Sequence, residues 1–282
     1  MKTISTVAEM REISSRARSL KQTIGFVPTM GFLHDGHLSL IRSARSCCDL
    51  LVVSIFVNRT QFGPNEDFDS YPRDLSRDLE LCRINKADLV FHPPQEDMYF
   101  DDYSVFVEET RLSRGLCGAA RPGHFKGVTS VVCKLFNIIQ PDFAVFGQKD
   151  AQQVRVIDRM VRDLNIPVEI RTAPIVREPD GLAMSSRNTY LSPEERSQAL
   201  CLSKTISLAE KLHSGGELRA STIESAMREL IESYSMAQID YVEIVDSGSL
   251  EPVEKIEAPT LVAIAVRIGS TRLIDNTVLG DS

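Results

Sequence analysis

Ile24-Gly25-Phe26-Val27-Pro28-Thr29-Met30-Gly31-Phe32-Leu33-His34-Asp35-Gly36-His37 is the stretch whose reading decides the fold. Its first four residues form a short apolar run of the kind that fills a buried strand, and Leu38 to Cys47 continues with helical spacing. The order is therefore strand, glycine-rich turn, helix. The first turn of a helix presents N–H groups without intrahelical acceptors and a partial positive charge. Gly31 and Gly36 let an anion approach the backbone, and His34 and His37 share one side of the turn and can donate to it. This arrangement suits a phosphate; the alternative is a tight turn that merely carries two surface histidines.

Working outward, Leu50 to Val57 is continuously apolar, as in a parallel strand covered on both faces. Thr6 with Glu9 three residues later caps a first helix. Residues 74 to 86 and 124 to 139 read as helices, Asp88 to Phe91 and Phe143 to Phe146 as strands, and a further helix opens near Asp150. This alternation predicts an open parallel α/β sheet with right-handed crossovers, whose ligands sit at the carboxyl ends of the strands. Three segments fall there: the turn after Val27, Asn58 to Gln61 after Val57, and Gly147 to Asp150 after Phe146.

Past residue 176 the pattern changes. A long helical stretch from Ser192 to His213, a Ser214-Gly215-Gly216 break and a helix to about Tyr234 come first. Ile239 to Val245, Leu261 to Ile268 and Thr271 to Val278 then read as antiparallel strands with one wet face. At roughly 150 residues per domain, the 282 residues divide into two, 1–175 and 176–282.

Hydrophobic residues at 43% and charged residues at 25% exclude a disordered or fibrous chain. A formal net charge of −7 argues against non-specific nucleic-acid binding. The N-terminus opens Met1-Lys2-Thr3-Ile4-Ser5 without a long apolar run, and no window approaches the roughly 20 apolar residues of a membrane span. The expectation is a cytoplasmic protein with neither nucleic acid nor membrane as partner. Six scattered cysteines, none at Cys-x-x-Cys spacing, read as reduced and structural, without zinc.

Two further clusters suit phosphate chemistry. In Gly147-Gln148-Lys149-Asp150, Lys149 can reach a phosphate, while Asp150 caps the following helix or accepts ribose hydroxyls. Met184-Ser185-Ser186-Arg187 offers two hydroxyls and a guanidinium in what reads as a flexible stretch after Asp180-Gly181. Such a loop can close over a triphosphate, or it is simply solvated. The chain contains neither a Walker loop nor a Gly-x-Gly-x-x-Gly fingerprint in this turn.

His34-Asp35-Gly36-His37 after a strand resembles the HxGH signature of the adenylyl-transferring nucleotidyltransferases, and Met184 to Arg187 resembles their second phosphate loop. Pro28 to His37, Gln61-Phe62-Gly63-Pro64, Tyr71-Pro72-Arg73, Arg121-Pro122-Gly123-His124-Phe125, Gly147 to Gln153, Asp180 to Leu191 and Thr271 to Asn276 together resemble the pantothenate synthetase family over nearly the whole chain. The resemblance implies an α/β fold: a Rossmann-like parallel-sheet domain binding ATP and pantoate over 1–175, followed by a smaller α+β lid domain over 176–282. It implies ATP-dependent condensation of (R)-pantoate with β-alanine through an enzyme-bound pantoyl adenylate, releasing pyrophosphate and AMP. Mg2+ is expected with the ATP, and a homodimer is expected as the assembly.

Carried onto this sequence, the resemblance assigns ATP to Met30, Gly31, Phe32, Leu33, His34, Asp35, Gly36, His37, Gly147, Gln148, Lys149, Asp150, Val176, Met184, Ser185, Ser186 and Arg187. Catalysis falls to His37 as proton donor with His34, Lys149 and Arg187; pantoate to Gln61, Gln153 and Asn58; β-alanine to Gln61 and Arg121. His124 stays outside the site, and no protein ligand for a metal is derived, Asp78 and Glu80 being the carboxylates considered. Arg59 stands where the family commonly has proline and is expected to loosen its loop; Ala151 stands where an aromatic is common and is expected to remove packing beneath Gln153.

Two rival readings fit less well. A nucleotidyltransferase with a phosphate-bearing acceptor needs extra cations, whereas the acceptor side carries Asn58, Gln61 and Gln153, with Arg59 weakening the contrast. A non-catalytic nucleotide sensor has no need of both histidines, Lys149 and Arg187.

Overall fold

The computed structural model describes residues 1–64 and 66–280. They form two compact units: residues 1–111, 121–148 and 153–174 make the first; residues 112–120, 149–152 and 175 onward make the second.

The first unit is built on six parallel strands: β1 (Lys2–Ile4), β2 (Ile24–Thr29), β3 (Leu50–Ile55), β4 (Leu89–Phe91), β5 (Phe143–Gly147) and β6 (Glu169–Ala173). Their order across the sheet is β1-β4-β3-β2-β5-β6. The chain steps one way from β2 through β3 to β4 and then returns to the other side of β2 for β5, so the strand order reverses between β2 and β5. Ligands of open α/β sheets bind at such a switch point, outside the carboxyl ends of the strands. β2 and β5 pair directly there, Gly25 with Phe143 and Phe26 with Ala144.

Residues alternate between the two faces of β2. Val27 joins Leu51, Val53, Ile55, Val90 and Val145 against Ile41 and Ala44 of α2 (Asp35–Arg45, following α1 at Val7–Ser19) and Cys82 of α3 (Leu75–Ile84). Phe26 faces the other way and meets Phe136 edge to face, with ring centroids 6.3 Å apart. Phe136 belongs to α6 (His124–Ile139), which follows two short helices, α4 (Gln95–Met98) and α5 (Leu116–Ala120). Coverage on both faces explains the unbroken apolar runs of the central strands. α2 begins at Asp35, three residues before the expected start, with extended His34 as its N-cap.

In the second unit, β7 (Ala237–Asp246), β8 (Thr260–Ile268) and β9 (Thr271–Leu279) form an antiparallel sheet in chain order. After α7 (Ala151–Asp163), the expected long helix is two, α8 (Pro193–Ala199) and α9 (Cys201–Ser214), interrupted at Leu200 and followed by α10 (Ala220–Glu232). The expectation of one wet sheet face does not hold for β8, in which only Arg267 is exposed. Val262, Ile264, Val266 and Ile268 pack on the helices, whereas Leu261 and Ala263 pack with Leu116 and Ala151. The two segments borrowed from earlier in the chain therefore cover the second face. Ala151 itself is buried in that cluster. Among the described residues no helix is long and apolar enough to cross a membrane.

Candidate active site

The histidine turn is made by two consecutive left-handed residues. Gly31 (φ +81°) and Phe32 (φ +48°) reverse the chain between Thr29 and the N-cap of α2. Left-handed backbone costs an ordinary side chain about 1–2 kcal/mol, so Phe32 needs a counterweight. Asp78, from the first turn of α3, supplies one: its carboxylate accepts the N–H of Phe32 and the N–H of Leu33, each at 2.7 Å. A Cβ on Gly31 would lie 2.9 Å from the same carboxylate, which is why glycine stands there. Arg77 donates to the Leu33 carbonyl at 2.8 Å and lies over the Phe32 ring, 5.5 Å from its centroid.

These contacts sort the residues of the turn. The N–H groups of Phe32 and Leu33 point inward to Asp78, and Leu33 is fully buried. The helix end is thus represented by Asp35 and Gly36, while the N–H of His37 meets the His34 side chain in a reciprocal capping box. The His34 and His37 rings lie 4.0 Å apart between centroids. Nδ1 of His37 faces the His34 N–H at 3.4 Å. An N–H only donates, so Nδ1 accepts, and the neutral His37 ring carries its proton on Nε2.

Neither Asp78 nor Glu80 is placed to hold a cation. Both Asp78 oxygens are taken by backbone N–H groups, burial pushes its carboxyl above the ordinary range against those two bonds, and exposed Glu80 pairs with Arg83 at 2.6 Å.

The acceptor-side residues follow β3. Gln61, almost buried, directs Nε2 to the sulfur of Met30 in the histidine turn at 3.1 Å. Asn58, fully buried, donates to Gln61 Oε1 (3.0 Å) and the Gly127 carbonyl (3.1 Å), and accepts from Thr60 (3.0 Å) and Tyr99 (2.7 Å). Its hydrogen-bonding capacity is saturated by protein, so its amide holds Gln61. α6 crosses close above: a Cβ on Gly127 would meet the Thr60 carbonyl at 2.3 Å. Gln153, in the part of α7 that groups with the first unit, is half-buried.

A second group of contacts fixes the backbone of Gln61. His124, buried, donates from Nδ1 to the Gln61 carbonyl at 2.8 Å and accepts from Arg121 at Nε2, 3.0 Å away. Arg121 also grips Glu66 in a two-pronged pair at 2.6 and 2.7 Å and reaches the Gln61 carbonyl at 3.4 Å. Burial works to raise the Glu66 carboxyl, but the bonds and charge of Arg121, with the Gly63 N–H, outweigh it and hold the group at about 2. The guanidinium offered to a substrate carboxylate is thus already paired. Arg59 lies over the Phe68 ring at 5.9 Å and Arg73 lies over it at 5.4 Å.

The remaining phosphate-site candidates belong to the second unit, apart from Gly147 and Gln148 in the first. Gln148 to Asp150 form a single tight turn ahead of α7, with Asp150 exposed. Buried Asn276 donates to the Lys149 carbonyl at 2.9 Å, and its neighbour Asp275 takes Arg177 in a bidentate pair at 2.7 and 3.0 Å. The Val176 carbonyl accepts from the Met184 N–H at 3.0 Å, closing a short antiparallel bridge between Arg177 and Ala183. Ser185 caps the turn Ser186–Tyr190 by accepting the Arg187 N–H at 3.3 Å. Asn188 donates to Glu178 at 2.7 Å and to the Ala183 carbonyl at 3.0 Å, while Arg196 pairs with Glu178 and Asp180 at 2.7 and 2.6 Å. The stretch after Asp180-Gly181 is thus tied to its surroundings by hydrogen bonds and ion pairs.

A parallel sheet whose switch-point strand leads into a histidine-bearing helix start defines an α/β protein of Rossmann-like architecture with its candidate site at the carboxyl ends of the strands. The family model for pantoate-beta-alanine ligase matches residues 2–278. The pantothenate synthetase of Thermotoga petrophila is 59% identical over 280 residues, 99% of this chain and 100% of its own. That of Pseudothermotoga lettingae is 57% identical over 281 residues, 100% of both chains. The crystal structure of pantothenate synthetase from Thermus thermophilus superimposes with a TM-score of 0.94 at 44% identity, over 98% of this chain and 99% of that one. Pantoate-beta-alanine ligase from Francisella tularensis, solved with beta-gamma ATP and beta-alanine, gives 0.81 at 33% identity over 99% and 97%. The chain belongs to the pantoate–β-alanine ligase family.

Proposed function

We propose that this chain joins (R)-pantoate to β-alanine at the expense of ATP; its family is named for the ligation of pantoate and β-alanine, and the Francisella tularensis relative was solved with beta-gamma ATP and beta-alanine. The observation that carries the reading is the contact of Gln61 with Met30, which sets a neutral amide beside the phosphate-binding turn in the same unit. An amide can donate to and accept from a hydroxylated acid without trapping it as a salt bridge.

A carboxylate is a poor electrophile at neutral pH. In this reading a pantoate carboxylate oxygen attacks the α-phosphorus, the bond to the bridging oxygen breaks, and pyrophosphate departs to leave a mixed anhydride. The β-alanine amine then attacks the acyl carbon, loses a proton and expels AMP. His37 donates from Nε2 to phosphate, supported by His34, while Lys149 and Arg187 meet the charge that develops on the leaving pyrophosphate. Gln61 and Gln153 orient pantoate, and Asn58 acts through Gln61. Arg121 receives the β-alanine carboxylate only by exchanging Glu66 for it. The Val176 backbone, Met184, Ser185 and Ser186 take the rest of the nucleotide. Mg2+ accompanies ATP without an assigned protein ligand.

A cytoplasmic homodimer completes the reading. Phe100, Val105 and Phe106 are 66%, 75% and 44% exposed, an apolar strip suited to a second copy and readable by light scattering. The deciding experiment for the activity is isotope exchange between pyrophosphate and ATP. Exchange should require pantoate, and β-alanine should then release AMP; no exchange with pantoate present sinks the ligase reading.

A further inference from the structure

Asp78 is a carboxylate with no exposed surface, and such a group persists only where its charge is met. What meets it is the N–H pair of Phe32 and Leu33, at 2.7 Å each, with the Arg77 guanidinium 3.9 Å away. Arg77, one residue earlier, holds the Leu33 carbonyl at 2.8 Å, so adjacent side chains of α3 take both backbone groups of Leu33. Ile55 packs against Gly31 on this side, where a Cβ would meet it at 3.0 Å, but the rest of the turn is not filled in. Behind it lies a cavity of about 380 Å3 bounded by Met30, Gly31, Phe32, Phe68, Asp78 and His92. Directional bonds from α3 stand where a filled core would otherwise brace the strained Phe32.

We infer that Arg77 and Asp78 are positioning residues for the histidine turn: by clamping Phe32 and Leu33 they fix where the helix start and the His37 ring face the nucleotide. The inference rests on the ligase reading above. α3 is itself anchored by Asp74, whose side chain accepts the Arg77 N–H at 3.0 Å, directly after the loop carrying Phe68 and Arg73. The placement of that loop is thereby coupled through α3 to the reacting end of β2. Misplacing a reacting group by about 1 Å can cost about 100-fold in rate, which sets the scale expected of the clamp.

The test is Asp78→Asn. An amide keeps one acceptor but turns an NH2 toward the second N–H, so one half of the clamp opens. The turnover of pantoate-dependent pyrophosphate exchange should fall by about 30- to 100-fold while the KM for pantoate stays within about threefold. In NMR spectra of the imidazole nitrogens, the signals of His34 and His37 should move and those of His124 and His213, away from the cavity, should stay; a purely structural role would shift all four or none. Arg77→Ala, at a half-exposed side chain, provides a second variant that does not disturb the core and should lower turnover by about three- to tenfold. Exchange unchanged in both variants, or His34 and His37 signals that do not move, overturns the inference. A wild-type protein without exchange would instead overturn the ligase reading.

Discussion

The side-chain amide of Asn276 on β9 donates to the backbone carbonyl of Lys149, 2.9 Å away, from a site only 4% exposed. A hydrogen bond of this kind contributes about 0.5–1.5 kcal/mol, and here the residue left adrift is the proposed phosphate lysine. Asn276→Ala should therefore lower turnover by about tenfold, short of the two to three powers of ten expected for Lys149→Ala or His37→Ala. Steady-state kinetics with ATP varied, alongside circular dichroism to verify folding, distinguish a displaced lysine from a lost one.

Gly127 offers a test of the acceptor side. The Cβ of Gly127→Ala would stand 2.3 Å from the Thr60 carbonyl and 2.6 Å from the Gln61 Cα, both backbone atoms that cannot swing away. Overpacking of this kind costs about 1–3 kcal/mol and must push the turn at Arg59 to Gln61 off α6. The KM for pantoate should rise at least tenfold, with the KM for ATP much less affected; equal changes in both would contradict the placement of Gln61 with pantoate.

Glu66 makes a prediction about acid. Its carboxyl sits at about 2 in the folded protein against an ordinary value of 4.5. A depressed carboxyl stabilises the fold fully above the unfolded value and loses that contribution as pH falls toward the folded one. The advantage of the wild type over Glu66→Gln should hold above pH 5 and shrink between about 4.5 and 2, by a total on the order of 2 kcal/mol. Urea melts at a series of pH values measure it, and a difference independent of pH would refute the pairing with Arg121.

Arg59 bears on the loop segment at residues 66–74. Its stacking over Phe68 contributes about 0.5–1 kcal/mol for an exposed pair. Arg59→Ala should make this loop a few times more sensitive to limited proteolysis while leaving the melting temperature within about 2 °C. Cleavage unchanged in rate would mean that Arg73 and Phe62 hold Phe68 without it.

How much of this was legible in the chain depended on locality. β2, β3 and β5 were readable because burial on both faces leaves unbroken apolar runs. β1 and β6 were not: one has three residues, the other reads Glu-Ile-Arg-Thr-Ala, and sheet edges favour short, polar strands. The run Leu261 to Ile268 itself signals a doubly covered strand, but the covering residues Leu116 and Ala151 lie more than a hundred positions away. The histidine turn and the Gly147–Asp150 turn announced themselves through glycine and charge at a strand end. Asp78 did not, since an aspartate in the first turn of a helix has an ordinary explanation in the helix dipole. The link from Glu66 through Arg121 and His124 to Gln61 joins positions up to 63 residues apart, beyond any motif.

The cover that Leu116 and Ala151 give to β8 has a consequence for anyone dividing the gene. A fragment starting at Ile175 would be synthesised without residues 112–120 and 149–152, leaving Val245, Leu261 and Ala263 bare to solvent. The C-terminal half is thus not a transplantable cassette. Its recombination partner must bring those two short stretches with it, so hybrids between relatives should be spliced with 112–120, 149–152 and the C-terminal half taken from the same parent.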